Sequence, residues 1–233
     1  VRPIAFSEIK ENVRMELGKN IDQVFSNVEE EPIGVASIGL VYKATLISGE
    51  DVVLKIRRPN IRKTLLSDFE LIAFIVLQLE KFSEDIKFLG LSKAIADFYK
   101  SIQLELNFLI EANNGKRIKE SLDSIDTDDI FKIPQTYKEL CTEKILVMEY
   151  LKGRPFNEIK DIGKYPELEK NLKKGVGLFL HNMLADGFFH ADLHGGNFFL
   201  LENNKIGLID FGLVGSLSKK NRSSLVAILY ALT

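Results

Sequence analysis

Three side chains near the end of the chain have the types and spacing of a phosphoryl-transfer site. Asp192 and Asn197 stand five positions apart in His190-Ala-Asp-Leu-His-Gly-Gly-Asn197. Asp210 comes thirteen positions later, closes the apolar strand pattern Ile206–Ile209, and opens Asp210-Phe-Gly212. A carboxylate at Asp192 can take the proton of an attacking hydroxyl. The amide oxygen of Asn197 and the carboxylate of Asp210 are hard oxygen donors of the kind that hold Mg²⁺. His190 and His194 flank Asp192, but Mg²⁺ favours oxygen over imidazole, so both are expected to scaffold the loop.

Such a reaction also needs a cation on the phosphates and a backbone cradle around them. Lys55 sits in the apolar strand pattern Val52-Val-Leu-Lys-Ile56. A lysine there is costly unless it is paired. Glu105 and Glu111, on one helical pattern downstream, are both candidate partners. The cradle candidate is Gly34-Val-Ala-Ser-Ile-Gly39, containing Val35, Ala36 and Ser37, which precedes a hairpin signal but departs from Gly-x-Gly-x-x-Gly. Order and spacing together match the kinase arrangement: small-residue loop, lysine strand, glutamate helix, Asp-x-x-x-x-Asn loop, Asp-Phe-Gly.

The elements that must position these groups can be read from periodicity. Phe6 to Phe25 predicts a helix, with Ile9, Val13, Leu17 and Ile21 at helical spacing. Leu40 to Leu46 and Asp51 to Ile56 predict strands joined by a turn at Ile47-Ser-Gly-Glu50. Helices are expected over Ser67 to Phe82, Ser92 to Asn113 and Glu167 to Asp186, and a loop over Ser121 to Asp129. Short strands are expected at Pro134 to Tyr137, Lys144 to Tyr150, Phe198 to Leu201 and Lys205 to Ile209, the last two around an Asn203-Asn204 turn. Leu151-Lys-Gly-Arg-Pro155 interrupts the pattern. The fold class is therefore α+β and two-lobed: a small mixed lobe over residues 1–150 and a mostly helical lobe over residues 151–233. The ending inside the apolar periodic run Leu225 to Leu232 suggests a fragment, truncated at both ends.

Composition narrows the function. Lys plus Arg number 31 against 33 Asp plus Glu, a net charge of -2, without the basic excess of a nucleic-acid binder. Cys141 is the single cysteine, so there is no internal disulfide framework, and a reducing compartment fits. The longest apolar run, Leu71 to Leu79, is too short for a bilayer, which takes about 20 residues.

Several blocks resemble the UbiB family of atypical kinases: Pro32 to Ala44, Val53 to Ile61, Glu105 to Asn114, Phe189 to Asn197 and Leu208 to Gly215. The resemblance runs from about Phe6 to the C-terminus in the family's order. It implies a protein-kinase-like fold, ATP and Mg²⁺ as ligands, and a role in ubiquinone or related isoprenoid-quinone biosynthesis. It implies that Lys55 pairs with Glu111 and that Glu149 and Leu151 hold adenine through backbone groups. Asp192 becomes the catalytic aspartate, and Asn197 and Asp210 the metal ligands. It further implies a quinone-precursor lipid or quinone-biosynthesis proteins as partners. The same likeness implies peripheral membrane contact, at the cytoplasmic face of a bacterial membrane or in an organelle.

The chain departs from the family pattern at Glu105-Leu-Asn107, where the family has a second carboxylate, and at Gly34, where it has alanine. The family's upstream Lys-x-Gly-Gln segment is absent. No Ala-Pro-Glu comes after Gly212, and Leu213 to Ser218 leads directly to a helical pattern, which argues for a small molecule, lipid or water as acceptor and against a peptide. Two other readings are compatible with parts of the pattern: a small-molecule phosphotransferase of the aminoglycoside or choline kinase type, and a nucleotide-sensing pseudokinase switch.

Overall fold

The computed structural model describes residues 5–36 and 38–231. Its contacts divide the chain into two compact units: residues up to Ile110 with Glu139–Val147, and Glu111–Lys138 with Met148 onwards. The chain changes unit after Ile110, Lys138 and Val147, so the segment Glu111–Lys138 groups with the later residues.

The first unit is built on an antiparallel sheet. Strands β1 (Phe25–Val28), β3 (Gly39–Leu46), β4 (Asp51–Arg57) and β6 (Ile145–Glu149) lie side by side in that order, and the short β2 (Gly34–Val35) pairs with β3. The hairpin expected between Leu40 and Ile56 forms in full, with Tyr42 opposite Leu54 and Val41 opposite Lys55. Tyr42, Val52, Leu54, Ile56, Ile145 and Val147 are almost wholly buried there. Cys141 lies beside this sheet, its Sγ accepting from the Val147 N–H at 3.5 Å.

Helix α1 (Phe6–Leu17) buries Ile9 and Val13. It is shorter than its periodicity predicts. Gly18 takes a left-handed φ of 67° and returns its N–H to the Arg14 carbonyl, which closes the helix. Asn20 then caps a separate 3₁₀ turn over Ile21–Gln23, and Phe25 enters a strand.

The other helices of this unit are α2 (Ile61–Phe82), which begins six residues before the pattern predicts, the short α3 (Glu84–Phe88) and α4 (Leu91–Glu105). The single helix expected over Ser92 to Asn113 is two. Arg57 Nη1 donates to the Leu106 carbonyl at 2.5 Å, and the Phe108 N–H donates to Glu143 O at 3.1 Å. Asn107 Oδ1 accepts the Leu109 N–H at 3.0 Å and starts α5 (Phe108–Asp123). These tertiary and capping bonds replace the helical ladder at the break, which periodicity alone does not register.

In the second unit, α5 runs into the stretch expected as a loop and ends at Asp123. Strand β5 is Phe131–Lys132 and pairs in parallel with β10 (Ile206–Leu208), which pairs with β9 (Phe198–Leu200), itself beside β7 (Arg154–Pro155). The strand expected at Pro134 to Tyr137 is reduced to one bridge, Thr136 with Met148. Asn203 and Asn204 both adopt positive φ, as the expected turn requires. Helix α6 (Pro166–Ala185) starts with proline in its first turn. Ile118, Leu122, Phe131, Leu168, Ile206 and Leu208 form the core. Strands β8 (Phe188–His190) and β11 (Val214–Ser216) form a small antiparallel pair, and α7 (Lys219–Ala231) comes last. No helix is long and apolar enough to cross a membrane among the described residues.

Candidate active site

The catalytic-loop candidates sit at the end of β8. Gly187, with φ of 70°, turns the chain out of α6, and its carbonyl accepts the Leu217 N–H at 2.7 Å. A side chain there would meet the Leu217 carbonyl at 2.6 Å, so only glycine fits. The turn delivers His190 to a buried position, 4% exposed.

His190 ties the catalytic loop to the Asp210 strand end. Its Nδ1 accepts the Asp192 N–H at 3.1 Å, so the ring proton is on Nε2, which donates to the Asp210 carbonyl at 2.5 Å. Burial holds the His190 pKa below its ordinary value; the bond to Asp210 and the nearby carboxylates oppose that more weakly. A neutral imidazole thus joins the Asp192 backbone to the Asp210 backbone. The expectation that the two histidines scaffold the loop is met: His194 Nδ1 accepts the Gly196 N–H at 3.0 Å, and its Nε2 stands 3.7 Å from Asp192 Oδ2.

Asn197 is drawn into the same cluster. Its Nδ2 donates to the Asp192 carbonyl at 2.9 Å, and its own carbonyl accepts the Ile209 N–H at 3.1 Å. Asp210 accepts the Gly212 N–H through Oδ1 at 2.9 Å. Asp192, Asn197 and Asp210 are therefore set by one hydrogen-bonded group, and the donors of Asn197 and Asp210 are the hard oxygens that Mg²⁺ takes.

Two residues of α5 support this group and are not singled out by spacing. Asn114 Nδ2 donates to the Phe211 carbonyl at 3.0 Å. A Cβ on Gly115 would come within 2.9 Å of the Phe211 ring. A signal exists in the sequence: glycine inside a helix costs about 1 kcal/mol relative to alanine, which points to a close approach.

The first unit holds the phosphate-side candidates. Gly34 pairs with Val41 and Val41 with Lys55, so the three lie on one line across β2, β3 and β4 and share a face. The loop is tightened by the Ala36 N–H donating to the Gly39 carbonyl at 3.0 Å. Val35 is exposed, and Ser37 lies outside the described residues. Lys55 is 6% exposed, with Nζ 5.1 Å from the centre of the Phe108 ring. Glu105, one of the two glutamates considered as its partner, ends α4.

Glu111, Glu149 and Leu151 belong to the second unit. Glu111 is 4% exposed in the first turn of α5, where the helix dipole favours a carboxylate. The two candidate glutamates thus lie on different helices. Glu149 accepts Lys132 at 2.9 Å and the Gln135 N–H at 3.0 Å, and its own N–H donates to Gln135 O at 2.7 Å. Leu151 is buried; a Cβ on Gly207 would lie 3.0 Å from its Cδ1.

The chloroplast protein ACTIVITY OF BC1 COMPLEX KINASE 1 of Arabidopsis thaliana is 35% identical over 98% of this chain and 33% of its own length. A probable protein kinase UbiB of Pseudomonas fluorescens is 31% identical over 99% of this chain and 44% of its own length. The chain thus spans less than half of either. Among solved structures, Rv3197 of Mycobacterium tuberculosis in complex with erythromycin matches with a TM-score of 0.72 and 25% identity over 94% of this chain and 54% of its own. The Rio2 kinase of Chaetomium thermophilum, as an ADP/Mg²⁺-phosphoaspartate complex, matches with a TM-score of 0.54 at 13% identity over 96% of this chain and 57% of its own, a likeness of fold. These neighbours make the α+β fold kinase-like. A model of the ABC1 atypical kinase-like domain matches residues 1–233, and the chain belongs to that family.

Proposed function

We propose that this domain binds ATP with Mg²⁺ and transfers the γ-phosphoryl group to a small molecule, a lipid or water, in support of isoprenoid-quinone synthesis. The observation that carries the reading is the His190 bridge, which holds the Asp192 and Asp210 backbones while Asn197 is tied to the same loop. Asp192 takes the acceptor's proton as the acceptor oxygen bonds to the γ-phosphorus, and the bond to the β-phosphate oxygen breaks to release ADP. Asn197 Oδ1 and the Asp210 carboxylate hold the metal. Bound Mg²⁺ neutralises charge on the phosphates.

Lys55 contacts the phosphates, and the Gly34–Ser37 loop cradles them. Lys55 and Gly34 share a face of the sheet, which supports this assignment. Glu149 has committed its N–H to Gln135, so its carbonyl is the group it offers to adenine, beside the N–H of Leu151. The short link from Gly212 to the helix at Lys219 leaves no peptide platform and supports a non-peptide acceptor. Exposed Leu71, Phe74 and Phe82 on α2 support contact with a membrane surface, where a quinone-precursor lipid would be met.

The test is Mg²⁺-dependent ATP hydrolysis by the full-length protein, with and without a quinone-precursor lipid, for the wild type and Asp192→Asn. Loss of turnover in Asp192→Asn is expected, with stimulation of the wild type by the lipid. Equal rates in the two proteins would overturn the catalytic reading in favour of a nucleotide-operated switch.

A further inference from the structure

A cavity of about 230 Å³ in the first unit is lined by none of the residues assigned above. Asn12 and Glu16 of α1, Arg57, Arg58 and Arg62 around the β4–α2 turn, and Lys144 line it. Four cations thus face one carboxylate. That carboxylate is already engaged: Glu16 accepts Lys144 at 2.5 Å and the Thr142 hydroxyl at 3.0 Å.

Arg57 is the unusual member. It is 9% exposed, a degree of burial rare for arginine unless its charge is met. One of its nitrogens is fixed on the Leu106 carbonyl. Burial and the charge of Arg62 both weigh against its protonated form, and Glu143 and Glu16 offset this only in part. Arg58 and Arg62 form no ion pair among the described residues. Three guanidinium groups at one cavity, one of them held rigid and buried, make a site for a tetrahedral oxyanion, which accepts several N–H donors at once.

We infer that this cavity binds a phosphate group, carried by a small phosphorylated molecule or by a lipid headgroup, at a site separate from the nucleotide site. The size suits one phosphoryl group with a short substituent. The inference does not depend on the proposed activity, because it rests on charge and burial in the first unit alone.

The test is thermal unfolding of the full-length protein without nucleotide, in inorganic phosphate and in chloride at matched ionic strength. Phosphate is expected to raise the midpoint by about 3 °C over chloride. The Arg58→Gln/Arg62→Gln variant, altered only at side chains outside the core, should unfold normally in chloride and lose the increment. Lys55→Met should keep it. Glycerol 3-phosphate, and vesicles of phosphatidylglycerol against phosphatidylcholine, distinguish the sources. Protection by glycerol 3-phosphate marks a free ligand; sedimentation with phosphatidylglycerol alone, lost in the double variant, marks a headgroup. Phosphate equal to chloride with no vesicle preference overturns the inference. So does an increment that survives in the double variant or disappears in Lys55→Met.

Discussion

Asn114 donates its side-chain amide to the carbonyl of Phe211 at 3.0 Å, so helix α5 holds the middle residue of Asp210-Phe-Gly212 through its backbone. The bond constrains the peptide next to a proposed metal ligand. Asn114→Ala removes the donor at a stability cost of about 1 kcal/mol. Asn114→Asp sets a carboxylate against the carbonyl and should cost more. Under the proposed function, Asn114→Ala lowers the turnover of ATP about tenfold, roughly 1.4 kcal/mol of barrier, with little change in nucleotide affinity. Steady-state hydrolysis with a nucleotide titration checks the split; unchanged turnover would remove Asn114 from the positioning group.

Two helix glycines should respond to alanine with opposite sign. Gly115→Ala gains helix propensity of about 1 kcal/mol. It also places a methyl carbon 2.9 Å from Phe211 Cδ2, and overpacking costs about 1–3 kcal/mol. The variant should be less stable than wild type. Gly177→Ala, on α6, has nothing within 4 Å of the new carbon and should be more stable by about 1 kcal/mol. Urea denaturation of both variants measures the contrast.

Gly34 has no backbone need to be glycine. It lies outside the residues with positive φ, and a Cβ there would meet Val41 Cβ at an ordinary 3.5 Å. Gly34→Ala should therefore stabilise the chain by about 0.4–1 kcal/mol through the unfolded state. The new methyl would share a face with Lys55, so under the proposed function nucleotide affinity should change while the sheet does not. Denaturation and nucleotide binding, measured on the same variant, separate the two effects.

The hairpin and its lysine were legible because alternation over seven residues and a Ser-Gly turn leave one register, and Val41 does pair with Lys55. The spacing of Asp192, Asn197 and Asp210 pointed to one cluster, and the bonds of His190 and Asn197 do link the three. The break at Leu106–Asn107 was not, because Arg57, 49 residues away in sequence, captures the carbonyl that a continuous helix would use. The early end of α1 was written in Gly18, yet the spacing of Ile21 outweighed it in a reading by period. Asn114 was hidden for a different reason: an asparagine on a helix is ordinary until the backbone it meets, Phe211, is known.

His190 makes the site sensitive to acid. Its pKa in the folded protein is lowered from 6.5, chiefly by burial, so the unfolded chain binds the proton more readily. Between the folded value and 6.5 the unfolded state carries more protons, and stability therefore rises with pH. The neutral ring's contribution is complete above about pH 6.5 and is lost as pH falls towards the lowered folded value. Protonation also places a hydrogen on Nδ1, which ends its role as acceptor for the Asp192 N–H. Wild type should lose stability between pH 7 and pH 5 more steeply than His190→Gln, although the variant is less stable at pH 7. Melting curves across that range, run beside ATP turnover, test this: parallel pH profiles for the two proteins would show that His190 titrates no differently when folded.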